Sequence, residues 1–169
     1  MTRKIALITG ASRGLGKSAA LHLAAQGIDI IGTYNSRADD ARAVAAEIEK
    51  LGGRAAMLQL DVSLIDSFKA FSEGVAKVLA RVFGREQFDF LVNNAGVGVH
   101  ALFAETTEEQ FDQLLNVHFK GPFFLTQKLL PLLADCGRIV NISSGLARFS
   151  LPGYATYAAM KGAMETLTR

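Results

Sequence analysis

Tyr157 and Lys161 stand four residues apart in the alanine-rich stretch YATYAAMK. On a helix that spacing puts both side chains on one face, one turn and about 6 Å apart along the axis. A phenol beside an ammonium suits proton exchange, because the positive charge favours phenolate. In water a phenol keeps its proton to about pH 10, so exchange near neutrality requires a site that favours the anion by about 4 kcal/mol. Tyr154 falls on the same face, but it lies about 10.5 Å from the lysine along the axis and at or before the helix start. It is expected to line a pocket or to pack. Without further polar partners, a surface Tyr/Lys pair on an ordinary helix would be the favoured account of these residues.

A second constellation lies near the start, where the β-rich run KIALIT leads into TGASRGLGKS. Gly10, Gly14 and Gly16 punctuate a turn that opens a helix, and unpaired N–H groups together with the helix dipole can hold a phosphate there. The spacing is not G-x-G-x-x-G. Three readings stay open at this point. The turn can cradle the pyrophosphate of a dinucleotide. From Ala11, ASRGLGKS also has P-loop spacing, with Gly16, Lys17 and Ser18 in place and alanine for the first glycine; Asp61, which ends MLQLD, would then be the aspartate that holds magnesium. A tight turn without a ligand is the third.

Hydrophobic periodicity defines the strands and helices that carry these groups. Short β-rich runs are KIALIT from Lys4, IDIIGTY from Ile28, RAAMLQL from Arg54, FDFLVN from Phe88 and GRIVNIS from Gly137. Ala41, Val44, Ala45, Ile48 and Leu51 recur at helical spacing between the second and third. Phe68, Phe71, Val75, Val78, Leu79 and Val82 do so between the third and fourth. A longer helical stretch runs from about Glu108 to Leu133 with a kink expected at Pro122, and a last helix begins near Tyr154. Strands alternating with helices predict an α/β fold with a parallel sheet and crossover helices. With no linker or repeat, residues 1–169 read as one domain.

Composition narrows the function classes. Half the residues are apolar, 18 Lys and Arg stand against 16 Asp and Glu, and no block of basic residues occurs. Neither nucleic acid nor a membrane surface is expected as a partner, and no run of apolar residues is long enough for a membrane span. The single cysteine, Cys136, cannot form an intrachain disulfide and suits a reducing compartment, so a cytoplasmic location is expected. His22, His100 and His118 have no metal-ligand spacing and read as ordinary surface or helix residues, so no metal is assigned.

TGASRGLG from Thr9, NNAG from Asn93 and YAAMK from Tyr157 occur in the order and strand positions of the short-chain dehydrogenases/reductases. The sequence resembles that family over its whole length, with similarity to 3-oxoacyl-[acyl-carrier-protein] reductase-like members. The resemblance implies a Rossmann-type doubly wound sheet with strand order 3-2-1-4-5. It also implies hydride transfer between a nicotinamide and a carbonyl carbon, with Tyr157 as general acid and base. Lys161 would favour phenolate and hold ribose hydroxyls. Ser144, thirteen residues before Tyr157, would hydrogen-bond the carbonyl oxygen, and Asn116 would hold a water relaying protons to Lys161. The implied cofactor site comprises Gly10, Ser12, Arg13, Gly14, Leu15 and Gly16 in the turn; Asn35, Ser36 and Arg37 after the second strand; the adenine-contacting pair Asp61 and Val62; and Asn93, Ala95, Gly96, Tyr157 and Lys161.

Cofactor choice turns on the end of the second strand, where an NAD enzyme uses an acid to grip the ribose 2′-hydroxyl. Here Tyr34 stands in that place, and Arg13 and Arg37 can approach a 2′-phosphate, so NADP is expected over NAD. Asp39 and Asp40 read as first-turn residues complementing a helix dipole. The expected partners are a small carbonyl or alcohol, beside an apolar wall of Leu146, Phe149, Leu151 and Tyr154, and further copies of the chain. Members of the family continue through another helix and two more strands. The sequence is therefore expected to be an incomplete domain, either a fragment of a longer reductase or a shortened form inactive as a monomer, with RIVNIS from Arg138 left as an open apolar edge. A P-loop-like nucleotide triphosphate-binding protein and an inactive NADP-binding fragment stand as alternatives.

Overall fold

In the structure, a computed structural model describing residues 3–169, β1 (Ile5–Ile8) is buried at every position. Such a run belongs to a parallel strand covered on both faces. Its side chains alternate between two cores. Ile5 and Leu7 face one that includes Phe68, Leu91 and Leu125, whereas Ala6 and Ile8 face another with Ala20, Val44 and Ile48. Helices α1 (Gly14–Ala25) and α2 (Ala38–Lys50) cover the second face; α3 (Phe68–Val78) and α5 (Gly121–Leu129) cover the first.

The remaining strands are β2 (Asp29–Tyr34), β3 (Ala55–Gln59), β4 (Phe88–Asn93) and β5 (Leu133–Asn141). All pair in parallel in the order β3-β2-β1-β4-β5, the expected Rossmann-type order. The order reverses between β1 and β4, which opens a crevice at their C-terminal ends. β5 begins four residues before the expected GRIVNIS run. Asp135 and Gly137 are poor strand formers and Cys136 sits at φ 62°, so pairing with β4 prevails over local propensity, and the register shifts between Phe88 and Phe90. Among the described residues β5 is the outer strand, and Ile139 and Val140 on it are exposed.

The helical stretch expected over about residues 108–133 with a kink at Pro122 breaks instead just before that proline. α4 (Glu108–Leu115) begins at a capping box in which Thr107 accepts from the N–H of Gln110. A π turn over Asn116–Lys120 comes next, and the Gly121 N–H reaches back to the carbonyl of Asn116. Pro122 then sits in the first turn of α5, where its missing N–H costs least. The π turn adds a residue and so rotates α5 by about 100° relative to a continuous helix.

Gly121 explains how closely this helix approaches the loop after β3, since a Cβ there would lie 2.0 Å from the backbone oxygen of Val62. Neither partner is a flexible side chain. Gly121→Ala is expected to destabilise the protein by about 2–3 kcal/mol, the upper part of the overpacking range. For a chain of this size that lowers Tm by about 5–10 °C. A melting curve within 2 °C (~1 kcal/mol or less) of the parent would contradict the tight contact.

Candidate active site

The glycine turn is built by what it must approach. Gly10 adopts φ 69°, and a Cβ on Gly16 would lie 2.3 Å from the Gly10 carbonyl oxygen, so the start of α1 closes directly onto the turn. Thr9 ties the turn to the neighbouring strand end, its hydroxyl oxygen accepting from the N–H of Asn94 at 2.9 Å and of Ala95 at 3.0 Å. Asn94 Nδ2 donates to the carbonyl oxygens of Thr9 at 2.8 Å and Gly10 at 3.3 Å. Arg13, the N-cap of α1, offers no side-chain cap, and no acid stands in the first turn. Gly14, at φ 55°, has nothing within 4 Å of where a Cβ would be. The result is an open cradle of donors at the positive end of a helix, which fits a pyrophosphate.

Apart from Asn93, Tyr157 and Lys161, every residue expected to bind cofactor lines one groove of about 380 Å³ above this turn. Asn93 departs from expectation. It ends β4 with its side chain turned away, Nδ2 donating to Asn141 Oδ1 at 2.8 Å and Thr126 Oγ1 at 3.1 Å. Strand alternation gives the groove to Asn94 instead, a residue the sequence reading passed over although it is the second Asn of the same NNAG.

The P-loop alternative loses its lysine. Lys17 Nζ donates to Glu47 Oε1 at 2.8 Å on α2, away from the turn. Asp61 is also engaged, its Oδ1 accepting from the N–H of Ser63 at 2.9 Å and its hydroxyl at 2.7 Å, and its Oδ2 from Asn35 at 3.2 Å. Partial burial alone would raise the Asp61 pKa, but the hydrogen bonds from Ser63 and Asn35 outweigh it and hold the carboxyl below its ordinary value. Among the described residues no group of His, Cys, Asp or Glu is placed to hold a metal.

At the end of the groove beside β2, Arg13, Asn35, Ser36 and Arg37 line it together. Asp40 accepts from Arg37 Nη1 at 3.2 Å across the N-cap of α2 and Asp39 from Arg42 within it, so both acids are engaged locally. The Arg37 pair is exposed and worth at most about 1 kcal/mol, which a phosphate can outbid.

A second cavity adjoins the first. Ser144, Tyr154, Tyr157 and Lys161 line it together with Leu146, Phe149 and Leu151, the expected apolar wall. Tyr154 is the N-cap of α6 (Ala155–Thr168), which carries Tyr157 and Lys161 on its inner face. Lys161 Nζ lies 5.7 Å from the centre of the Tyr157 ring and donates to the carbonyl oxygen of Ile142 at 2.6 Å. The side chain is buried, and that burial pushes its amine below the ordinary 10.5. Ser144 Oγ accepts from the N–H of Leu146 at 3.2 Å, which leaves its own proton to give.

Asn116 does not join this group. It starts the π turn, its carbonyl accepts from Gly121, and its side chain is outside the cavity lining. Two residues farther on, about 200° around a helix, His118 takes the inward position. Its ring stands edge-on to Tyr157 with centres 5.0 Å apart, and it is only 3% exposed. Read as an ordinary helix residue, His118 was missed. The available signal was its place four residues after Leu114, on the stripe that also carries Gly121 and Leu125, all buried. His100, also read as ordinary, stacks edge-on against Tyr154 at 5.2 Å. His22 stays on exposed α1 surface and contacts the Ser18 carbonyl at 2.8 Å.

The comparisons agree with this geometry. The family model described as short chain dehydrogenase matches residues 4–169. Hydroxynaphthalene reductase-like protein Arp2 of Metarhizium brunneum is 39% identical over 168 residues, covering 98% of this chain and 60% of that protein. The crystal structure of landomycin C-6 ketoreductase LanV with bound NADP and rabelomycin matches with a TM-score of 0.94 at 41% identity, over 98% of this chain and 68% of that one. LugOII, a promiscuous reductase that catalyses keto-reduction at C1 during lugdunomycin biosynthesis, matches with a TM-score of 0.94 at 37% identity, over 99% of this chain and 67% of that one. The chain thus spans about 60% of the length of the curated relatives it matches. With the family model matched over residues 4–169 and the strand order of a doubly wound sheet, the chain belongs to the short chain dehydrogenase family.

Proposed function

We propose that this chain carries the cofactor groove and catalytic residues of an NADP-dependent carbonyl reductase. One observation carries the reading: the groove above the glycine turn and the cavity holding Tyr157 share Leu15, Asn94, Gly96 and Val97 as a common wall. A ligand whose phosphates rest on the turn therefore has a continuous path to the phenol. A nicotinamide bound there supplies the hydride to a carbonyl carbon, or accepts it in the reverse direction. Tyr157 gives its proton to the carbonyl oxygen, and the buried ammonium of Lys161 favours the phenolate left behind. The free hydroxyl proton of Ser144 is a preplaced donor to the same oxygen.

Leu146, Phe149, Leu151 and Tyr154 favour an apolar substrate, and the names of the relatives, a hydroxynaphthalene reductase-like protein, a landomycin C-6 ketoreductase and a reductase that catalyses keto-reduction at C1, support an aromatic hydroxyketone. Phe103, Phe111 and Ala159 around a shallow recess between α4 and α6 support assembly with further copies. The lone cysteine supports a cytoplasmic setting, and no described helix is long and apolar enough to cross a membrane.

The test is NADPH consumption by the purified protein with a hydroxylated tetralone and with an aliphatic ketoester. Turnover faster with the aromatic ketone is expected, and NADPH but not Mg-ATP should raise Tm. Stabilisation by Mg-ATP alone would overturn the reading. For the 2′-phosphate, Arg37→Ala is expected to weaken NADPH about ten- to a hundredfold, the loss of one charge-assisted pair, and to leave NADH nearly unchanged. Equal losses for both cofactors in a fluorescence titration would remove Arg37 from that role.

A further inference from the structure

His118 lines the catalytic cavity without a part in the proton transfer described above. Its Nε2 lies 2.7 Å from the carbonyl oxygen of Val97 and 3.3 Å from the Val97 N–H. Only the tautomer with hydrogen on Nε2 makes the shorter contact attractive; the other would set two lone pairs against each other at 2.7 Å. Nδ1 is then a bare acceptor, buried and without a partner among the described residues. The ring touches three parts of the site at once. Its face or edge meets Tyr157, its Cε1 would lie 2.9 Å from a Cβ on Gly96, and its Nε2 holds Val97. Gly96 and Val97 belong to the wall shared by both cavities.

We propose that His118, as the neutral Nε2–H imidazole, is a positioning residue that latches the 96–98 segment to Tyr157 and so fixes the shared wall against the proton donor. The catalytic part of this inference rests on the reading of Tyr157 as proton donor; the latch itself does not. The titratable groups of the cavity facing the ring are Tyr157 and Lys161, both on α6, and the 94–98 segment brings Asn94 and backbone but no charge. Protonation would place an N–H on Nδ1 with no acceptor and a second cation near Lys161. Burial, chiefly, and the Lys161 charge depress the His118 pKa below its ordinary 6.5 against the opposing Val97 bond. The neutral ring therefore prevails at neutral pH; as pH falls through that lowered value the Nε2–H bond to Val97 is kept, but the new Nδ1–H is buried without an acceptor beside a second cation, and the ring's seat against Tyr157 and Gly96 is destabilised.

Two measurements test this independently. A long-range proton–nitrogen NMR spectrum of the protein should show His118 neutral at pH 6.5, its ordinary midpoint, with hydrogen on Nε2, and Lys161→Met should move its titration upward. Hydrogen on Nδ1, or a ring already charged at that pH, overturns the latch whatever the protein's activity. In turnover, His118→Phe keeps an aromatic ring on Tyr157 but removes the Val97 bond, and should lower kcat/KM by about tenfold or more, the effect of one buried bond lost. NADPH affinity should be little changed. His118→Gln restores an N–H donor at the reach of Nε2 without a titratable group, and should recover most activity while losing the His118 contribution to the acid limb of the pH profile. Parental activity in His118→Phe, or an unchanged acid limb in His118→Gln, overturns the proposal. Failure of the parent protein to reduce any carbonyl would instead sink the reductase reading, leaving the NMR result to decide the latch.

Discussion

Tyr157→Phe is expected to lower kcat for NADPH-dependent carbonyl reduction by about 10²–10⁴-fold, the usual contribution of a positioned general acid. The ring keeps its edge-on contacts with His118 at 5.0 Å and Tyr154 at 6.5 Å, so folding and the groove above the glycine turn are preserved. NADPH affinity, measured by fluorescence, should therefore change little. Tyr154→Phe is the control. As the N-cap of α6 this residue stands farther from Lys161, and its loss of a hydroxyl should reduce turnover only slightly. If Tyr154→Phe were the inactive variant, the proton donor would have been assigned to the wrong tyrosine.

Lys161→Met carries the second large effect and a characteristic pH dependence. The methionine fills similar space but removes the ammonium near Tyr157 and the donor to the Ile142 carbonyl, and kcat/KM near neutrality should fall by about a hundredfold. Burial lowers the Lys161 pKa below 10.5, so the ammonium is present below the lowered value and is lost as pH rises through it. The parent's reductive activity should therefore show a basic limb at lower pH than a free lysine would give, and the variant should lack it. Stability has its own sign. Between the lowered value and 10.5 the unfolded chain binds more protons than the folded one, so the Lys161 contribution makes stability increase with pH across that window. Chemical denaturation across the window should show that slope in the parent and not in Lys161→Met. An unchanged basic limb in the variant would assign the limb to another group.

Much of the architecture arises from local pattern. Alternation between IALI, DIIGTY, FDFLVN and the helical stripes of α2 and α3 suffices for a parallel α/β fold, because burial on both faces demands continuous apolar strands and helices with one apolar side. The 157/161 spacing suffices to pair Tyr157 with Lys161, since four residues make one turn. The glycine turn is recognisable for the same reason: a backbone that must adopt φ 69° at Gly10 and make room at Gly16 leaves few residue choices.

Direction in space is set by long-range contacts. Lys17 fits a P-loop by spacing, yet α2 brings Glu47 to it and takes it out of the turn. Asn93 and Asn94 are both polar strand-end residues, and only pairing with β5, through Asn141, shows which one turns from the groove. That His118 rather than Asn116 lines the cavity has the same origin. Each step along a helix rotates a side chain by about 100°, and the π turn before Gly121 adds another such rotation. That turn exists where the helix passes the Val62 carbonyl with no room for a Cβ, a contact between segments more than fifty residues apart in sequence. Residue types and short spacings thus determined the parallel α/β fold class and the Tyr157/Lys161 pair, while packing between distant segments chose which neighbours face them.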